Sequence, residues 1–149
     1  MVLADAPSHQ IVVQRDGQKV ASYPASFGNG DVIGDPNRVT RSGILDPCGR
    51  GQAGNHLTSN PAYAYTDMIE HCAVRISDNG EFLHHNQDAV ADHGVVNVSH
   101  GCINLSPDSA RAYDDSAIYG DPVQVTGTSV PLSAAAGDIY DWAIPGSNG

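Results

Sequence analysis

Positive charge is scarce in this chain: seven Lys and Arg stand against seventeen Asp and Glu, for a formal net charge of −10 over 149 residues. Nucleic-acid binding needs a basic stripe to neutralise phosphates, so that class is excluded. The cations (Arg15, Lys19, Arg38, Arg41, Arg50, Arg75 and Arg111) are scattered, which also excludes a polybasic membrane patch. No stretch approaches the roughly 20 apolar residues of a membrane span. The opening Met1-Val2-Leu3-Ala4-Asp5 has neither the basic start nor the apolar run of a secretory leader. Cysteine is sparse: Cys48, Cys72 and Cys102 make an odd number, so at least one thiol is free or bonds another chain. Two readings stay open. Either Cys48 and Cys72 pair and leave Cys102 free, or all three are unpaired and two of them are simply buried. The length suits one domain, 1–149, of the kind that is cut from a longer exported protein.

What is present is glycine, proline and many short apolar runs, the composition of a loop-rich, mainly β domain. Ile11-Val12-Val13 reads as a strand, Arg15-Asp16-Gly17-Gln18 as a turn with the Asp-Gly signal, and Val20 to Phe27 as the returning strand. A loop is expected from Gly28 to about Pro36, and a third strand from Val39 to Leu45. Asp46 to Pro61 reads as a long polar surface loop, either a lid or substrate-binding loop or plain surface. Ala62 to Met68 is ambiguous. Cys72 to Ile76 and Glu81 to His84 are paired strands about an Asp78-Asn79-Gly80 turn, and a polar connection follows from His85 to Gly94. One clear helix is predicted from Pro107 to about Ser116, with Ser106 as N-cap, Pro107 in the first helical position and Asp108 favoured by the helix dipole. Val123 to Thr126 is the last strand. Ile139 to Pro145, which holds the only Trp, is expected to dock back on the domain.

A cysteine nucleophile needs a base or a positive field to make its thiolate. Cys102 follows Gly101 and lies shortly before the predicted helix. A glycine there lets backbone N–H groups come close to a substrate carbonyl and form an oxyanion hole. His84, on a separate strand before a loop, is the candidate base. On these residues alone, a buried Cys and an exposed His explain the pair as well as catalysis does.

Order and spacing add more. Phe82-Leu83-His84, fourteen intervening residues, then Ser99-His100-Gly101-Cys102-Ile103-Asn104 resembles the signature of the L,D-transpeptidase (YkuD-type) family. That signature is a His, a spacer, then Ser or Thr, His, Gly, Cys, an apolar residue and Asn. The resemblance extends to the hairpin from Ile11 to Tyr23-Pro24, to the hairpin of Arg75-Ile76-Ser77 and Gly80-Glu81-Phe82, and to Asp141-Trp142-Ala143-Ile144-Pro145, which looks like the close of mycobacterial and actinobacterial members. It is strongest from about residue 73 to 126 and weak from Gly28 to Met68. There Val39-Thr40-Arg41-Ser42-Gly43-Ile44 stands in place of the family's Pro-Thr-Gly-type segment.

The resemblance implies a β-sandwich or barrel-like catalytic fold and a peptidoglycan cross-linking activity. Cys102 would attack a donor stem peptide after meso-diaminopimelate, release D-Ala and form a thioester. The side-chain amine of an acceptor stem would then take the acyl group. His84 would be the base, oriented by the backbone carbonyl of His85, with Gly101 supplying backbone to the oxyanion site. Ser99, His100 and Asn104 would shape the substrate pocket. Carbapenems would be covalent inhibitors, no cofactor or metal is implied, and the site of action would be extracytoplasmic. His93, His71, His56 and His9 are expected at the surface.

Three rival readings account for the motif less well. Zinc binding by His84, His85, His93, His100 and Cys102 lacks any C-x-x-C or H-E-x-x-H spacing. A cysteine peptidase or L,D-carboxypeptidase of wall peptides would pass the acyl group to water, and the peptidases place Cys before His. An inactive wall-binding domain has no reason to keep the whole motif.

Overall fold

Alternation of apolar and polar residues builds the first three strands of a computed structural model that describes residues 1–45, 56–60, 65–76, 81–118 and 120–132. They are β1 (Val2–Asp5), β2 (Gln10–Arg15) and β3 (Gln18–Ser26). Val2, Ala4, Ile11 and Val13 are buried while the residues between them are only partly covered. The β2–β3 hairpin closes on Arg15↔Gln18. Asp16 and Gly17 between them have φ of 50° and 75°, the left-handed pair that a two-residue hairpin turn demands.

The chain then departs from the expected loop. A single helical turn, α1 (Gly30–Ile33), ends on Gly34 at φ 77°, whose N–H bonds the Gly30 carbonyl. A 3-10 turn at Pro36–Arg38 follows, with the Asp35 side chain accepting from the Asn37 N–H. The expected strand from Val39 to Leu45 shrinks to β4 (Gly43–Leu45). The reason lies in Val39 and Thr40, which are buried against Gly28 and Gly30 rather than laddered. Part of the expected surface loop is a strand: β5 (His56–Asn60) pairs antiparallel with β6 (Tyr65–Glu70), which takes up residues 65–68 of the ambiguous stretch, residues 62–64 lying outside the described residues. The remainder of the proposed lid, residues 46–55 and 61, lies outside the described residues, as do Cys48, the Asp78-Asn79-Gly80 turn and the Trp142 segment.

The site is built on β7 (Val74–Arg75), β8 (Phe82–His85) and β9 (Ile103–Leu105), which precede α2 (Pro107–Ser116) and β10 (Val123–Thr126). The helix bounds agree with the expectation, and the Ser106 hydroxyl caps the Ser109 N–H. The main sheet has the order β4-β10-β1-β2-β3-β9-β8-β7, and β5–β6 is a separate ribbon. The fold is mainly β, a curled half-barrel with one principal helix. Among the described residues no helix is long and apolar enough to cross a membrane.

Two pairings in the sheet are parallel, β1 with β10 and β8 with β9. In the second, Leu83 stands beside Ile103 and His84 beside Asn104, while Ser26 of β3 pairs Asn104 from the other side. Period-two alternation therefore sends Leu83 and Ile103 into the core with Ala25, Val74 and Leu105, and puts Ser26, Asn104 and His84 in one row on the opposite face. α2 packs against β8 and contributes Ala110 and Tyr113 to the core.

Tyr113 is almost wholly buried and its hydroxyl has no hydrogen-bond partner among the described residues. Burial, with Asp121 adding, raises its pKa well above the ordinary tyrosine value, so it stays a phenol. Its ring holds the helix; its oxygen does not. Urea denaturation should therefore show Tyr113→Phe neutral or slightly stabilising, and Tyr113→Ala destabilising by about 3–5 kcal/mol.

Candidate active site

His84, like Ser26 and Asn104 in the same polar row, is buried, 6 % exposed, at the second-last position of β8. Its Nδ1 lies 2.9 Å from the carbonyl oxygen of His85. A carbonyl can only accept, so Nδ1 carries the proton and Nε2 is left with its lone pair. Cys102 sits one residue before β9 and two before Asn104, the ladder partner of His84. Neighbouring strands are about 4.8 Å apart and two strand residues cover about 6.6 Å, so the parallel register sets Cys102 one strand over and two residues back from His84. Cys102 is half-buried.

The turn that presents Cys102 is held mainly by hydroxyls and backbone. Ser99 is buried; its Oγ donates to the Cys102 carbonyl and accepts from the Gly101 N–H at 3.1 Å. The Gly101 amide, expected to face a substrate oxyanion, is thus directed inward to Ser99. What Gly101 provides is its φ of 130°, a backbone conformation closed to most side chains, which sets the direction of the peptide leading into Cys102. Ser99 is an internal brace in this structure.

A residue given no role by sequence reasoning completes the brace. Thr40 is fully buried; its Oγ1 donates to the Gly101 carbonyl at 2.7 Å and accepts from the Gly28 N–H at 2.8 Å. Gly28 in turn bridges Ser99. A Cβ at Gly28 would stand 2.1 Å from the Arg38 carbonyl oxygen, so the strand end, the 38–40 segment and the Cys102 turn meet with no room for a side chain. Only the Val-Thr-Arg order at 39–41 hinted at this, and a lone threonine carries no such signal. A second brace runs through Asn97. Its Oδ1 accepts from His9 Nδ1 at 2.8 Å and from the Phe27 N–H at 3.0 Å, and the neighbouring Val98 N–H donates to Ser26 Oγ.

The remaining histidines divide. His71 is exposed and its ring centroid lies 5.9 Å from that of His85, on the face opposite His84. The side chain of His56 lies outside the described residues. His9, expected at the surface, is half-buried against Asn97. His93 corrects the expectation most sharply: it is 9 % exposed, folded under by the 3-10 turn at Val90–Asp92. Burial holds its pKa below the ordinary histidine value; Asp92 opposes this, and His84 and His85 add to it. His100 is exposed, though partial desolvation and the charge of Arg38 hold its pKa down as well. Asn104 is buried between Ser26 and His84. Beyond the row, Arg41 pairs Glu81 at 3.2 Å, tying the 38–41 segment to the strand that carries His84. Among the described residues no group of three or more His, Cys, Asp or Glu is placed to hold a metal ion.

Residues 1–125 match the family model of the YkuD L,D-transpeptidase catalytic domain. The chain belongs to this family. It is 44 % identical over 144 residues to L,D-transpeptidase 5 of Mycobacterium tuberculosis, covering 97 % of this chain and 31 % of that protein. Among solved structures it resembles the LD transpeptidase LdtMt1 in complex with imipenem, with a TM-score of 0.68 and 32 % identity, over 84 % of this chain and 57 % of the other. It also resembles an L,D-transpeptidase from Mycobacterium smegmatis, with a TM-score of 0.70 and 29 % identity, over 85 % of this chain and 58 % of the other. The chain thus spans about a third of that curated relative and somewhat over half of each solved chain.

Two outcomes follow for this L,D-transpeptidase domain. Thr40→Val keeps the shape but strands a buried N–H and a buried carbonyl; urea denaturation should show a loss of about 1–3 kcal/mol, with Thr40→Ser retaining most of it. For His93, the folded chain resists the proton that the unfolded chain accepts near the ordinary value of 6.5. Its contribution to stability is complete above that pH and is lost as pH falls through the depressed folded value. Unfolding curves at pH 7.5 and 5 should show this decline in the wild type and a shallower one in His93→Phe.

Proposed function

We propose that this chain is a single catalytic domain of a peptidoglycan L,D-transpeptidase working through a thioester on Cys102. The observation that supports this above all is the 2.9 Å hydrogen bond from His84 Nδ1 to the His85 carbonyl. It orients the imidazole as the Asp does in a serine triad, with a dipole in place of a charge, and leaves Nε2 to take the Cys102 proton. The Cys102 sulfur attacks the carbonyl of meso-diaminopimelate in the donor stem. The C–N bond to D-Ala breaks, and the imidazolium of His84 returns its proton to the leaving amine. The side-chain amine of a second stem's diaminopimelate then attacks the thioester, loses a proton to His84 and releases the thiol, joining two third residues.

The developing oxyanion is met by the peptide that Gly101 directs into Cys102. Asn104 and His100 border the stem peptides, and Ser99 keeps the turn rigid. The substrates are polymers of the wall, so the domain acts outside the cytoplasm. Imipenem in the complex of LdtMt1 supports the expectation that carbapenems acylate Cys102 here too.

Incubation with a tetrapeptide stem and mass spectrometry of the products tests the reaction: a cross-linked dimer with loss of D-Ala supports transfer, and a tripeptide alone points to a carboxypeptidase. Cys102→Ala should abolish both products and any carbapenem adduct while the fold persists. His84→Ala should slow acylation roughly 10²–10⁴-fold, and His100→Ala much less. A Cys102→Ala protein that still cross-links would refute the reading.

A further inference from the structure

Three buried polar atoms on residues near the candidate base have no hydrogen-bond partner among the described residues: Nδ1 and Nε2 of His93 and Oδ1 of Asn104. Buried polar atoms are nearly always satisfied, so these three call for an explanation. The fold relates them. Asn104 is the ladder partner of His84, in the row Ser26–Asn104–His84. The segment after His93 is laid over the end of β3, with the Gly94 N–H on the Ala25 carbonyl and the Val98 N–H on Ser26 Oγ. His93 is buried where this segment begins. The charges that bear on it are Asp92 beside it in the chain and the imidazoles of His84 and His85 on β8.

We propose that His93 is a positioning residue for His84, and that its imidazole and the Asn104 amide frame an internal site for one water molecule that keeps the His84 ring in place. The chemistry balances. A neutral imidazole offers one N–H and one lone pair, and the amide oxygen offers an acceptor. A buried water typically makes about three hydrogen bonds to such groups. His93 suits the place only while neutral, since a cation there would oppose the imidazolium that forms on His84 in each half-reaction. Burial keeps it so. This deepens the proposed function, because it takes His84 as the base.

The test reads the His84 ring directly as well as the reaction. Nitrogen NMR of the histidine rings gives the His84 tautomer, and intact-mass kinetics with imipenem gives acylation of Cys102 across pH. In His93→Phe, which preserves bulk but removes both nitrogens, the Nδ1–H tautomer of His84 should lose its dominance. Acylation should slow about tenfold, as for other groups that orient an imidazole, and its acid limb should move. His93→Gln, which restores a donor and an acceptor, should recover most of both. Asn104→Leu, which removes the other wall, should disturb the tautomer in the same sense and serves if His93→Phe does not fold. A wild-type tautomer and pH profile in folded His93→Phe, or a wild-type tautomer in Asn104→Leu, would overturn the proposal. If imipenem does not acylate the wild type, the functional reading fails, while the tautomer still decides the role of His93.

Discussion

The register of β8 against β9 is the constraint on which the rest of this molecule depends. In a strand, successive side chains point to opposite faces, so a slip of one residue exchanges every inside position for an outside one. Here Leu83 and Ile103 are locked into the core beside Val74 and Ala25, and this burial leaves His84 and Asn104 together on the other face. Hydrophobic burial, which has no chemistry of its own, thereby decides where the candidate base points. The parallel pairing also sets Cys102, just before β9, one strand over and two residues back from His84, although fourteen residues separate His84 from Ser99 in the chain.

Around that pair, positioning is done mostly by neutral groups. The His85 carbonyl orients His84, the Ser99 and Thr40 hydroxyls hold the Cys102 turn, and the Asn97 amide ties its approach to β3. Neutral hydrogen bonds suit a buried site, because an isolated charge there carries a heavy desolvation cost. An ion pair of Arg41 with Glu81 joins the 38–41 segment to the residue before β8.

Local chemistry made much of this legible in advance. Asp16-Gly17 admits a turn that few other dipeptides tolerate, and Ser106-Pro107 starts a helix wherever it occurs, so the hairpin and α2 could be placed from the chain. Alternation located β10 to the residue. What failed was set at a distance. The strand expected from Val39 is short because Thr40 is drawn to Gly28 and Gly101. The loop after Phe27 contains a helical turn that closes on Gly34 and is held by Asp31 to Ser129, a contact no window of sequence contains. His93, flanked by Asp92 and Gly94, has a surface pattern and a buried position.

The sequence by itself singled out Cys102 and His84 as the candidate pair, because the order and spacing of a family motif are local, and the family resemblance pointed to the His85 carbonyl, which lies 2.9 Å from His84 Nδ1. Only the tertiary structure decided that Thr40 and Ser99 brace the nucleophile, that the Gly101 amide turns inward, and that His93 lies buried within the field of the base. Those facts depend on which segments pack against one another. A hydroxyl or an imidazole reads the same in a sequence whether water or a carbonyl stands opposite it, and burial, which makes that difference matter, is a property of the assembled fold.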